Sequence, residues 1–263
     1  MYGGFGLPAM GIRGIALATL VAQSGGVVFL GRRAWKTGLL SRSTGAEWRP
    51  HLPTLRAIAG QGIPASLNMM SVALGIFIIT WFLSRFGQTA VAAYGVATRI
   101  EQIVLLPTIG LNVAALTLAA QNGGAGLYGR VRETARKSLL YGGVVMVAGS
   151  VFIYFGAGPL MRLFTDDPAV IAQGTTYLRV IAPFEAAMAF ELVLQGAFGG
   201  AGNSLPPLVL CVPLSAARIP LALLLSRRLG ASGIWWAIAL TTLVKGLLMA
   251  AWFKLGRWKR TVV

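Results

Sequence analysis

Acidic residues are the scarcest resource of this 263-residue chain: seven Asp and Glu stand against 23 Lys and Arg, with a single histidine and a single cysteine. Each shortage excludes something. One cysteine, Cys211, cannot form an intrachain disulfide framework, and it sits inside an apolar run. One histidine, His51, leaves no H-E-x-x-H zinc pair. Gly230-Ala231-Ser232-Gly233 has the G-x-S-G form of an intramembrane serine protease, but its serine needs a histidine base within hydrogen-bond reach. His51 lies in a distant polar stretch, so no enzyme is expected. Charged residues of both signs make up only 11% of the chain, where soluble domains carry about 25%.

What is present is apolar. Hydrophobic residues reach 56%, and uncharged runs recur at Gly14–Gly31, Ala57–Ser84 (broken by no charge), Ser138–Met161 and Leu192–Ala217. A net charge of +16 in a soluble chain would suggest nucleic acid. Here the basic residues gather between the runs, so the expectation is an all-α polytopic membrane protein. Seven spans fit, at 14–31, 62–84, 89–118, 138–160, 171–196, 205–226 and 231–254. Alternate loops then differ sharply. One side carries Arg32, Arg33, Lys36, Arg42, Arg49, Arg56, Arg130, Arg132, Arg136, Lys137, Lys254, Arg257, Lys259 and Arg260, the other only Arg13, Arg85, Arg162, Arg227 and Arg228. The positive-inside rule makes the richer side, and the C-terminus, cytoplasmic, and puts Met1 outside. Trp35, Trp48, Trp252 and Trp258 flank spans as interfacial anchors do. The run Arg130–Lys137 reads as a basic amphipathic stretch against anionic headgroups.

Charges inside the spans mark function, because each costs at least ~2.5 kcal/mol at the membrane centre. In the third span Tyr94, Thr98, Glu101, Leu105, Thr108 and Asn112 fall on one helical stripe, and Arg99 points almost opposite. In the fifth, Tyr177, Phe184, Met188, Glu191 and Gln195 share a face, while Arg179 and Glu185 point elsewhere and Pro183 should kink the helix. Asn68 is a polar residue of the second span. Arg218 and Lys245 lie in the last two spans, where they either snorkel or pair with the glutamates. Asp166 and Asp167 suit a helix N-terminus, and Gly196 with Gly200 forms a G-x-x-x-G contact pair.

The chain also carries a repeat. Residues 11–18 and 230–237 share G-x-x-G-I-x-x-A, and both open a span from outside. The first span then closes a six-helix repeat whose other helices precede Met1. The expected organisation is residues 1–31 as the last helix of a missing first lobe, 32–61 as a cytoplasmic linker, and 62–263 as a six-helix second lobe.

Several motifs together resemble the multidrug and toxic compound extrusion (MATE) transporters, in their C-terminal lobe. They are Gly62-Ile63-Pro64, Gly87 followed by Val91-Ala92-Ala93, the turn Ala120-Gln121-Asn122 to Gly126, Leu163-Phe164-Thr165-Asp166-Asp167-Pro168, and Leu194-Gln195-Gly196-Ala197 through Gly202-Asn203-Ser204 to Pro207. The resemblance implies twelve helices in two lobes that export cationic or amphiphilic compounds, xenobiotics included, by sodium or proton antiport. Residues 14–31 would match the sixth helix, and 62–254 the seventh to twelfth. The polar and charged residues inside the spans suggest a substrate and ion pathway through Glu101, Arg99, Glu185, Glu191, Gln195, Asn68, Tyr94 and Asn112, in a plasma (inner) membrane protein with no cofactor beyond the coupling ion. Gly199 and Leu205 stand where the family usually has arginine. The family's coupling aspartate on the first helix lies outside this chain, and 62–84 contains no glutamate. A lipid-linked saccharide flippase of the same superfamily is the alternative. A retinal-binding protein, with Lys245 as the Schiff-base lysine, leaves the repeat unexplained.

Overall fold

The computed structural model describes residues 11–37 and 51–256. Two compact units divide the chain, 1–55 and 56–263. The first contributes α1 (Gly11–Lys36), with Leu20, Val21, Val28 and Phe29 exposed along it. Trp35 is exposed at its end. Trp48, Trp258, Arg42, Arg49, Arg257, Lys259, Arg260 and the expected outer position of Met1 lie outside the described residues.

The second unit holds all but the first four residues of α2 (Leu52–Ser84), with α3 (Gln88–Gly124), α4 (Tyr128–Arg162), α5 (Pro168–Ile181), α6 (Glu185–Gly200), α7 (Leu205–Leu229) and α8 (Ala231–Lys254). Among the described residues there is no strand, and α2, α3, α4, α7 and α8 are each long and apolar enough to cross a membrane. The protein is an all-α membrane protein. Two expected starts were late. The span expected from residue 62 begins at Leu52, inside the expected linker, and that expected from 138 begins at Tyr128, taking in the basic run. Hydropathy ends a span at the lipid boundary, whereas the backbone keeps its hydrogen bonds beyond it. Within that extension Val131, Ala135 and Ser138 are buried while Arg130, Arg132, Arg136 and Lys137 are exposed.

The expected fifth span is broken where Pro183 sits. Residues 182–184 form a 3₁₀ turn between α5 and α6, since proline has no N–H to donate to the preceding turn. The hydroxyl of Ser150 donates to the Ala182 carbonyl at 2.6 Å, satisfying an acceptor beside the break. At the start of α5, Asp167 caps as expected: its Oδ1 accepts from the Ala169 amide at 2.9 Å and from Val170 at 3.4 Å.

Packing is organised around α8. Fifty-six per cent of its apolar stretch is buried, against at most 22% for the other four long helices, so they shield it from lipid. Glycines permit the closest approaches. A Cβ on Gly246 would run into the backbone of Ala187, and Cβ atoms on Gly196 and Gly200 would run into the backbone of α3 at Asn112 and Leu116. The G-x-x-x-G pair is therefore the α6 side of the α3–α6 contact.

Two apolar clusters close the unit at its ends. One gathers Phe82, Leu83, Ala93, Tyr177, Leu178 and Trp235, the other Val131, Ala135, Leu194, Phe198, Met249 and Phe253. Along α2, Pro64 and Asn68 are buried as well as the late residues Ile79, Phe82 and Leu83. The last three belong to the first cluster. Far along the helix, Gln61 donates to the Gly202 carbonyl and accepts from the Ser204 amide at 3.1 Å and hydroxyl at 3.0 Å. Removing this latch leaves part-buried groups unpaired, worth about 1–3 kcal/mol. Gln61→Ala should speed amide hydrogen exchange over the first half of α2 and leave α8 unchanged. Unchanged exchange there would show the latch to be idle.

Candidate functional site

The clusters at the two ends leave a polar section midway, enclosing a cavity of about 300 Å³. Six helices reach it, each through residues at helical spacing: Asn68, Met69, Val72 and Ile76 on α2; Tyr94, Thr98, Glu101 and Leu105 on α3; Tyr177 and Ile181 on α5. Met188, Glu191, Leu192 and Gln195 come from α6, Ser215 and Arg218 from α7, and Thr242 and Lys245 from α8. Lys245 is fourteen residues into α8, roughly 20 Å from its start at 1.5 Å per residue. That depth is well inside a hydrocarbon core about 30 Å thick.

Glu101 is buried, and its Oε2 accepts from the Tyr177 hydroxyl at 2.7 Å. Behind this pair Tyr94 stacks on Trp235 with centroids 5.8 Å apart and planes 15° from parallel, and Tyr177 meets Trp235 edge-on at 5.0 Å. These rings form a rigid wall at membrane depth, with the phenol turned to the carboxylate. Tryptophan burial at the start of α8 had no signal in the sequence, because Trp235 reads there as part of the repeat.

The second charged group lies across α6, α7 and α8. Lys245 Nζ stands 3.7 Å from Glu191 Oε1 and 2.9 Å from the Ser215 hydroxyl. The same Oε1 has the Cys211 thiol at 3.5 Å and the Gln195 amide at 3.4 Å. So pairing, and not snorkelling, is the outcome for Lys245. Arg218 donates from Nε to the Thr241 hydroxyl at 2.8 Å and from Nη2 to Thr242 at 3.4 Å. The signal for both cations was present as spacing: Ser215 and Arg218 at i and i+3, Ile238, Thr242 and Lys245 at i, i+4 and i+7.

Of the eight residues expected on the pathway, Glu101, Glu191, Gln195, Asn68 and Tyr94 line the cavity and three do not. Arg99 is exposed, on the face opposite Glu101. Asn112 donates to the Leu192 carbonyl at 2.5 Å and is part of the α3–α6 contact, so the polar stripe of α3 opens on the cavity only as far as Leu105. Glu185 is 1% exposed beside the 3₁₀ turn, and neither carboxylate oxygen has a hydrogen-bond partner. Phe184, expected on the same face as Glu191, instead meets Trp236 edge-on at 6.1 Å. Phe184 lies in the 3₁₀ turn itself, where the α-helical path is interrupted. Asn68 is buried with its Oδ1 unpaired, facing the cavity. Among the described residues no three His, Cys, Asp or Glu side chains gather as a metal site.

Comparison with known proteins points one way. Residues 64–224 match the MatE family. The whole chain aligns at 26% identity with a probable multidrug resistance protein, NorM, of Thermotoga maritima, covering 57% of it. Ninety-five per cent of the chain aligns at 31% identity with the probable multidrug resistance protein YpnP of Bacillus subtilis, covering 56% of it. The fold matches a mutant of the Vibrio cholerae MATE transporter VcmN with a TM-score of 0.85 at 19% identity, over 96% of this chain and 58% of that one. The chain thus spans a little over half the length of these relatives.

Proposed function

Because this chain belongs to the MATE family of membrane transporters, we propose that it forms the C-terminal lobe of a secondary active carrier that exports cationic or amphiphilic compounds in exchange for sodium or protons. The observation that carries the reading is the cavity at membrane depth, which exposes Glu101 to its interior with only a phenol as donor. An organic cation entering there meets a carboxylate without a basic partner in contact, an aromatic wall, and the flexible side chains of Met69 and Met188. Glu101 serves as the cation-facing group, Glu191 as the ion-pair partner of Lys245, Gln195 and Asn68 as polar neighbours, and Tyr94 as part of the wall.

Alternating access then rocks this lobe against a complementary first lobe around the shared midplane site. The relatives' greater length accommodates that partner. The excess of Lys and Arg in alternate loops supports a cytoplasmic C-terminus, and the reading takes the plasma membrane as the site of export.

Ethidium binding tests the role of Glu101. In nanodiscs the 263-residue protein should bind ethidium, and Glu101→Gln should weaken that binding at least tenfold, about 1.4 kcal/mol. Equal affinity in the two would remove Glu101 from the site. Displacement of the dye by lipid-linked sugars but not by other organic cations would favour the flippase reading.

A further inference from the structure

The charges that line the cavity are not all in contact with one another. Lys245 and Glu191 neutralise each other at 3.7 Å. Glu101 has the Tyr177 hydroxyl. Arg218 has two neutral acceptors, and among the described residues no carboxylate is in ion-pair contact with it. An arginine at this depth costs several kcal/mol unless it faces water or an anion.

Its orientation is set. The Thr241 hydroxyl that accepts from Nε sends its own proton to the Ala237 carbonyl at 2.8 Å, so its lone pair is turned toward the guanidinium. Nη2 leans on Thr242. Guanidinium has five N–H donors, and these two bonds leave three, both of Nη1 and one of Nη2. That open end is the planar pair of donors that matches a carboxylate or phosphate two-on-two. Arg218 lines the cavity, so the donors are in reach of a ligand that occupies it.

We infer that the cavity seats an oxyanion on Arg218, the carboxylate or phosphate of an amphiphile, so that with Glu101 in the same cavity it favours zwitterions over plain cations. The inference rests on the transport reading, which by itself asks only for the acidic group. The apolar body of such a ligand lies against Tyr94 and Tyr177. Its amine faces Glu101, and its acid completes the bonding of Arg218. Lys245 does not take that part, because its ammonium is already committed to Glu191 and Ser215.

The test uses one fluorophore in two forms. N-ε-dansyl-lysine is a zwitterion, and its methyl ester is a cation of nearly the same shape. With the 263-residue protein in nanodiscs of zwitterionic lipid, the acid should bind at least tenfold more tightly than the ester. Arg218→Gln should erase that preference by weakening the acid alone, and Arg218→Lys, which keeps the charge but not the fork, should restore part of it. If Arg218 only bridges α7 and α8, the glutamine variant will weaken both probes alike, and the inference fails. It fails too if the ester binds as well as the acid in the unmodified protein. In that case a loss of ester binding in Glu101→Gln still leaves the cation reading standing, whereas binding of neither probe ends both. Adding phosphatidylglycerol to the nanodisc separates two sources of the anion. Loss of acid binding in the unmodified protein would assign the seat to a lipid headgroup, and undisturbed binding to a free solute.

Discussion

Gly196→Ala will destabilise the protein by about 3 kcal/mol or more. The added methyl meets the backbone carbonyl of Asn112, with the Asn112 side chain 3.2 Å away. A side chain could swing aside, but a carbonyl in the middle of a helix cannot. The only relief is to part α3 from α6, which also breaks the bond from Asn112 to the Leu192 carbonyl. Three residues along the same helix, Gly199→Ala makes the control. Its methyl meets nothing closer than a Leu116 methyl at 3.6 Å, an ordinary contact. Alanine is the better helix former by about 1 kcal/mol, so that variant should be neutral or slightly stabilising. Thermal unfolding in detergent reads both. Equal midpoints for the two would mean that the helices are farther apart than the structure shows.

Lys245→Met comes second, with an expected loss of about 2–4 kcal/mol. Removing one member of a buried ion pair leaves the other charge without its partner, at a cost of about 3–5 kcal/mol in a dry interior. The polar lining of the cavity reduces that figure. Glu191 would keep only the Cys211 thiol at 3.5 Å and the Gln195 amide at 3.4 Å, both weak partners for a carboxylate. The double variant Glu191→Gln with Lys245→Met should recover most of the loss, because no unpaired charge is then left. If the double variant is as unstable as the sum of the singles, the two side chains act independently and the pair is not a unit. The Ser215 hydroxyl, 2.9 Å from Nζ, loses its donor in either case and sets the part that is not recovered.

How legible the site was depended on which interval of the chain carried it. Within one continuous helix, phase is conserved at 100° per residue, so the upper part of the α3 stripe from Tyr94 to Leu105 could be placed on one face and does line the cavity. The same arithmetic failed at Asn112. A stripe tells which residues share a face but not which neighbour covers it, and α6 covers this one. It failed again at Pro183 for one residue, since the 3₁₀ turn advances the chain at a different angle and carries Phe184 off the line that Tyr177, Met188, Glu191 and Gln195 share. Arg99 illustrates a third limit. The cost of a buried charge argued for a cavity, but the side chain is exposed along the outer face of α3, a place that hydropathy does not distinguish from an inner one.

By itself the sequence determined the class of protein, the apolar core of each span and the family: apolar runs, cations between them, capping aspartate, paired glycines and the order of motifs are all local properties, read within one helix or turn. Which carboxylate meets which cation was decided only by tertiary structure. Glu191 lies 54 residues from Lys245 in number, and Tyr177 is nearer to Glu191 along the chain than to the Glu101 it bonds. Both choices follow from how closely small residues let α3, α6 and α8 approach. That distance is a property of facing backbones, and no single helix encodes it.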